Sequence, residues 1–167
     1  MPKLSSGLLL HRSRRGRLEV LLVHPGGPFW ATRDDGAWSV PKGEYGPDED
    51  PLEVAFREFG EELGSEPPGG GSPVDLGELR QRSGKRVRVW AVEGDLDVTT
   101  VHSNTFTMEW PPRSGRTREF PEVDRAAWLD LETARRKLVS GQAGFLDRLS
   151  ELVGSRRPAH RVGGSDP

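Results

Sequence analysis

Three glutamates, Glu58, Glu61 and Glu62, stand with Arg57 on one short stretch behind an expected glycine turn at Gly43. If that stretch is helical, at roughly 100° per residue, Glu58 and Glu62 lie about 40° apart and Glu61 about 60° from Glu58 on its other side. Three carboxylates then share one arc. Like charges this close raise one another's pKa unless something positive stands among them. Hard oxygen donors at this density suit Mg2+ or Mn2+, ions that keep several waters and share their shell with substrate phosphates. Glu58 and Glu62, on the same side of the helix, are the principal candidate ligands. Arg57 precedes Glu61 by four residues, the spacing of an ion pair that holds a carboxylate in place.

The helix itself is legible. Asp50 suits an N-cap, Pro51 suits the first helical position, and Glu53 lies three residues after Asp50, where a capping-box carboxylate reaches back. Leu52, Ala55, Phe56, Phe59 and Leu63 form an apolar stripe that predicts packing on a core, and Gly64 stands where a helix stops in the left-handed conformation. A helix with this much acid on one side is, taken by itself, ordinarily solvated surface with ordinary ion pairs; its context decides the matter.

From Gly43 to Ser65 the chain resembles the Nudix box, G-x5-E-x7-R-E-U-x-E-E-x-G-U, with U an apolar residue. Gly43, Glu49, Arg57, Glu58, Phe59, Glu61, Glu62 and Gly64 fill its places, and Ser65 departs from it at the last apolar position. The resemblance implies an α/β/α sandwich, a mixed sheet between helices, and a Mg2+-dependent hydrolase (Mn2+ as an alternative) of a nucleoside diphosphate linked to another group. It further implies that Glu61 and the Gly43 carbonyl complete the metal site, with Arg57 orienting the carboxylates and Glu49 either near the metal or capping the helix. The base that activates water varies in the family; Glu58 and Glu61 are candidates. A downstream acid six residues before an aromatic at the start of a late strand often joins them. Glu122 and Trp128 have that spacing, with Glu119 and Asp124 close by.

Substrate preference turns on residues around the box. Pro41-Lys42-Gly43 resembles Nudix members that cleave long polyphosphates, with Lys42 as a point charge for a distal phosphate. Arg33, and the cluster Arg113, Arg116 and Arg118, offer further phosphate contacts; Trp30 and Phe29 offer a surface for a base. Trp38, Trp90 and Trp110 are expected in the core, and His24, without a partner ligand at metal spacing, in a structural role. The expected reaction is therefore cleavage of a phosphoanhydride bond in nucleoside triphosphates or dinucleoside polyphosphates. ADP-sugars such as ADP-ribose, and diphosphoinositol polyphosphates, are alternatives. A catalytically silent nucleotide sensor is the competing class, which the complete set of box acids disfavours.

Composition sets outer bounds. The 167 residues are 33% apolar with a mean hydropathy of −0.65, enough for one domain with a modest core. A net charge of −2 provides no broad field for a nucleic-acid backbone, so long polynucleotides are not expected partners. There is no cysteine and no apolar run of membrane length, and the expected location is the cytoplasm. Strands are expected over Lys3 to His11 and Leu18 to Val23 around a turn at Ser13 to Gly16, then at Ala37 to Val40, Val74 to Leu79, Lys85 to Val92 and Phe106 to Trp110. Helices are expected from Leu131 to Val139 and Gln142 to Val153. Residues 1–153 form the expected single domain, and 154–167 an expected disordered tail.

Overall fold

The computed structural model describes residues 2–68 and 71–156. Its centre is β1 (Leu4–Arg14), whose residues Ser5 to His11 are all buried, as expected of a strand covered on both faces. A tight turn at Arg15 and Gly16, both at positive φ, folds it back into β2 (Arg17–Pro25), which matches the turn type favoured between antiparallel strands. On its other side β1 pairs in parallel with β5 (Arg86–Glu93), which pairs antiparallel with β4 (Val74–Arg80). β8 (Val123–Asp130) closes the far edge against β2, giving the order β4-β5-β1-β2-β8. The sheet is mixed.

A short strand β3 (Lys42–Glu44) pairs with the beginning of β1, Gly43 opposite Ser6. It feeds α1 (Pro51–Leu63), whose Ala55, Phe59 and Leu63 pack on Leu8, Leu10, Leu21 and Val23 from one face of the sheet. The opposite face carries Leu9, Val20, Leu22, Val87 and Val89, covered by Ala134 of α2 (Leu131–Lys137) and by Phe145, Leu146 and Leu149 of α3 (Gly144–Arg156). Alternation along β1 thus sends Leu8 and Leu10 to one layer and Leu9 to the other. The expected α/β/α sandwich is what forms. Apart from it, β6 (Thr105–Glu109) and β7 (Thr117–Pro121) make a two-stranded hairpin. No helix among the described residues is long and apolar enough to cross a membrane.

The helix begins and ends where Asp50 and Gly64 signal it. Asp50 is the N-cap and accepts from the Leu52 N–H at 3.0 Å, and Gly64 takes φ 76° while its N–H donates to Gly60 O. Several expectations need correction. Ala37 to Val40 is not a strand but a segment with two isolated bridges, Ser39 to Val23 and Trp38 to Leu138, because its backbone is shared between β2 and the end of α2. Gly43 lies inside β3 rather than in a turn. Phe56 stands 36% exposed at the edge of the stripe, with Val54 buried instead. Trp110 lies beyond β6, half-buried and edge-on to Phe29 at 5.7 Å, not in the core, whereas Trp38 and Trp90 are buried as expected. The first late helix stops at Lys137, and the second runs to Arg156, so residues 154–156 are helical; 157–167 lie outside the described residues.

Gly64 supplies a direct test of this frame. A Cβ there would meet His102 O at 2.3 Å in a backbone conformation that L side chains avoid. Gly64→Ala is expected to lower the unfolding free energy by about 1–3 kcal/mol, read as a shifted urea midpoint with an unchanged slope; an unmoved midpoint contradicts the cap.

Candidate active site

Position around α1 sets the burial of each acid. Taking Phe59 as the centre of the face on the sheet, Glu62 lies about 60° away, Glu58 about 100° and Glu61 about 160°. The gradient follows: Glu62 Oε2 is sealed from solvent, the Glu58 side chain is 17% exposed and that of Glu61 39%. Burial, with the neighbouring charges of Glu58 and Glu122 added to it, pushes the Glu62 carboxyl up to about 8 against the opposing pull of Lys42. Glu58 is also raised, first by burial and then by Glu61, with Glu122 contributing and Arg57 opposing.

Glu58 crosses directly over β3. A Cβ on Gly43 would fall 2.0 Å from Glu58 Cδ and 2.3 Å from its Cγ, so only glycine lets the carboxylate lie there. Next to it, Lys42 is half-buried, and desolvation, followed by the like charge of Lys85, pushes its ammonium down to about 8. Lys42 is thus a strand residue packed between Glu62 and Lys85 rather than an exposed turn lysine.

Arg57 does more than the expected pairing. Its guanidinium hydrogen-bonds Glu49 Oε2 at 3.2 Å and lies 3.8 Å from Glu58 Oε1 and 3.9 Å from Glu61 Oε1. The Glu61 contact is the longest of the three. Glu49 is further tied by the Gly46 N–H at 2.9 Å, and these two bonds hold its carboxyl below the usual range. It braces Arg57.

Of the three downstream acids, two are engaged elsewhere. Asp124 meets His24 Nδ1 at 2.8 Å, and Thr105 donates to Glu119. Glu122 is exposed, and its charge reaches both Glu58 and Glu62. Its backbone ties the cleft together: its N–H donates to Asn104 O, and Gly26 N–H donates to its carbonyl. Trp128, expected at the start of its strand, is instead near the end of β8.

The aromatic loop lies over the β6–β7 hairpin. Phe29 meets Trp110, a Cβ on Gly27 would touch Phe106, and Arg33 lies over Trp30 at 5.5 Å. Arg118 lies over Phe120 on the exposed face of β7, and among the described residues no ion pair joins Arg113, Arg116 or Arg118 to the α1 carboxylates. His24 is fully buried, bonded to Asp124 and, at 2.5 Å, to Arg33 O, which fits a structural role. It fastens the aromatic loop to β8. That link escaped the sequence because its partners lie 9 and 100 residues away.

The donors fit a hard divalent cation. Glu62 Oε2 is buried without a hydrogen-bond partner, Glu58 lies in the Gly43 cradle beside it, and the acids and the glycine carbonyl offer only oxygen. Among the described residues the carboxylates do not converge on a common point, so ligation would require rotation about their χ angles.

The NUDIX domain model matches residues 1–149. The chain belongs to the Nudix family. Its members are hydrolases of pyrophosphate bonds that generally use divalent metals, although some are inactive. Solved structures agree on the fold. The C. elegans Ap4A hydrolase binary complex superposes with a TM-score of 0.63 at 21% identity, covering 90% of this chain and 98% of that one. The NUDIX domain of Shewanella oneidensis NrtR complexed with ADP ribose gives 0.62 at 15%, covering 92% and 89%. The MutT protein from Methanosarcina mazei Go1 gives 0.57 at 22%, covering 91% and 96%. No curated protein sequence matches the chain.

Gly43→Ala tests the cradle. The added methyl must displace the Glu58 carboxylate, so divalent-cation binding measured by calorimetry is expected to weaken about tenfold or more, while overpacking costs about 1–3 kcal/mol of stability. Unchanged affinity would show that Glu58 does not act from this position.

Proposed function

We propose that the protein is a Mg2+-dependent pyrophosphohydrolase, with Mn2+ as an alternative metal, acting on nucleoside triphosphates or dinucleoside polyphosphates. The observation that carries this reading is the partnerless, buried Glu62 oxygen beside the Glu58 carboxylate lodged on Gly43. Two acids held this way are costly to a fold that has no use for a cation.

Glu58 and Glu62 hold the metal in this reading, with Glu61 and the Gly43 carbonyl completing the set. When bound, the cation supplies neutralisation of the anhydride oxygens and a lowered barrier to water attack. Arg57, braced by Glu49, keeps Glu58 and Glu61 in place. Glu122, free of the ties that occupy Asp124 and Glu119, accepts the proton of the attacking water. One oxygen–phosphorus bond forms, the anhydride bond breaks on the opposite side, and the departing phosphate carries the bonding electrons. Lys42 balances Glu62 and meets the phosphate chain. Trp30 stacks on the base, with Arg33 and Arg118 contacting phosphates at the rim of the cleft.

Incubation of the purified protein with a nucleotide panel and Mg2+, with products identified by mass, tests the reading. Glu58→Gln and Glu62→Gln are each expected to lower kcat by about a hundredfold or more, with the far-ultraviolet circular dichroism unchanged. Near-native turnover in both variants at saturating Mg2+ removes the assignment.

The raised carboxyls add a pH dependence of defined sign. Because Glu62 titrates at about 8 in the folded protein against 4.5 for an unperturbed glutamate, the metal-free chain retains its proton at neutral pH. This contribution to stability is complete below pH 4.5 and is lost as pH rises through about 8. Mg2+ must displace that proton. Its apparent affinity is therefore expected to rise by up to about tenfold per pH unit between about pH 6 and 8, with proton release seen as buffer-dependent calorimetric heat. Affinity that does not change with pH contradicts the ligand assignment.

A further inference from the structure

A cavity of about 830 Å3 opens at the N-terminal end of β1, where β3 and the β4–β5 hairpin converge. Lys3, Arg80, Lys85 and Arg86 line it, with Glu44 as its acid. The Lys3 and Lys85 ammonium groups approach Glu44 only to 3.7 and 3.8 Å, and Arg86 reaches Glu78 at 3.8 Å. These are long contacts, and apart from Lys85 they join well-exposed groups, of the kind that stabilise a fold little. The cations outnumber what Glu44 and Glu78 can neutralise.

Some of these cations are also set against one another. Arg80 and Arg86 are directly opposed across β4 and β5, a cross-strand pairing of like charge that weakens a sheet. The charge of Lys85 also opposes that of Lys42. Folding requires neither clash; a bound polyanion would relieve both. The cavity also lies close to the carboxylate centre along β3. Glu44 is two residues beyond Lys42 on β3, about 7 Å along the strand, and the residue between them is the Gly43 that carries Glu58.

We propose that this cavity is a second anion site, in which Lys3, Arg80, Lys85 and Arg86 hold a run of phosphates belonging to a substrate whose cleaved bond lies over Glu58 and Glu62. The direction of the chain rests on the hydrolytic reading above; the anion site itself does not. A linear polyphosphate fits better than a nucleic-acid backbone, because these four cations are gathered in one pocket of a chain whose net charge is −2.

Thermal unfolding in EDTA, with inorganic tripolyphosphate or orthophosphate at equal ionic strength, tests the site without any turnover. Tripolyphosphate is expected to raise the Tm of the wild-type protein well above the effect of orthophosphate. In the Arg80→Gln/Arg86→Gln double variant the ligand-free Tm is expected to hold or rise, because a repulsion has been removed, while the tripolyphosphate increment disappears. An increment retained in the variant, or absent from the wild type, overturns the proposal. Lys85→Gln, which leaves the cross-strand arginines in place, should likewise reduce the increment, and a full increment there counts against it. With substrates, the double variant should lose about tenfold or more in kcat/KM on diadenosine tetraphosphate relative to its loss on ADP-ribose, and equal losses overturn the link to the substrate. If the wild type cleaves neither these compounds nor nucleoside triphosphates, the hydrolytic reading fails and the tripolyphosphate increment still decides the cavity.

Discussion

The close approach of α1 to β3 is the constraint around which the rest is arranged. A helix usually meets a strand through apolar side chains, but here the contact at Gly43 is made by the stem and carboxylate of Glu58. Glu62 is then carried inward by its place about 60° from Phe59, and Lys42 is drawn into the same dry corner. The cap at Asp50 and the left-handed stop at Gly64 fix where the helix begins and ends. Helix rotation and axial position are pinned by Ala55, Phe59 and Leu63 against the sheet. A rotation of about 100°, one residue, would replace Glu58 with another side chain over the glycine and move Glu62 from its place beside it.

How much of this was legible depends on whether the signal is local. Asp50, Pro51, the apolar stripe and Gly64 are read within one helix, so the element and its acidic arc follow from spacing alone. The ranking of the three glutamates by burial also follows, once the centre of the stripe is known to be Phe59. What spacing does not carry is the Gly43–Glu58 contact, which joins a strand to a helix through a turn whose course only the fold determines. Arg57 shows the same limit in smaller form: its i, i+4 partner Glu61 is real but long, and the tighter partner is Glu49, outside the helix.

The C-terminal half was less readable for a physical reason. β7 (TREFP) and β8 (VDRAAWLD) carry charged residues where buried strands carry aliphatic ones, because β7 is mostly exposed and β8 has only one buried residue. β8 is an edge strand that takes its pairing from β2, and its Trp128 is held by an N–H donated to Leu96 O and by the Arg12 guanidinium 4.0 Å above its ring. None of these partners is near in sequence. Glu122 could be found by its distance from an aromatic residue, but its separation from Glu119 and Asp124 emerges only from the contacts that occupy those two acids.

Charge is divided across a few residues of β3 in a way that bears on substrate handling. On the α1 side lie carboxylates short of cations, and beyond Lys42 lie cations short of carboxylates. The two halves do not neutralise each other, because Lys42 stands between them with its own ammonium desolvated. A ligand that is a phosphate chain associated with a divalent cation carries the complementary charges in the complementary order: cation at one end, bare phosphate at the other. Its binding would satisfy both halves at once and remove the repulsion between Arg80 and Arg86 as well as that among the glutamates. A site left frustrated in its free state holds such a ligand by differential electrostatics rather than by buried apolar area. The cavity is accordingly lined by charged and small residues, with Pro2 its apolar exception, and Arg80 and Arg86 are held on paired strands, so their charges keep their spacing without the ligand.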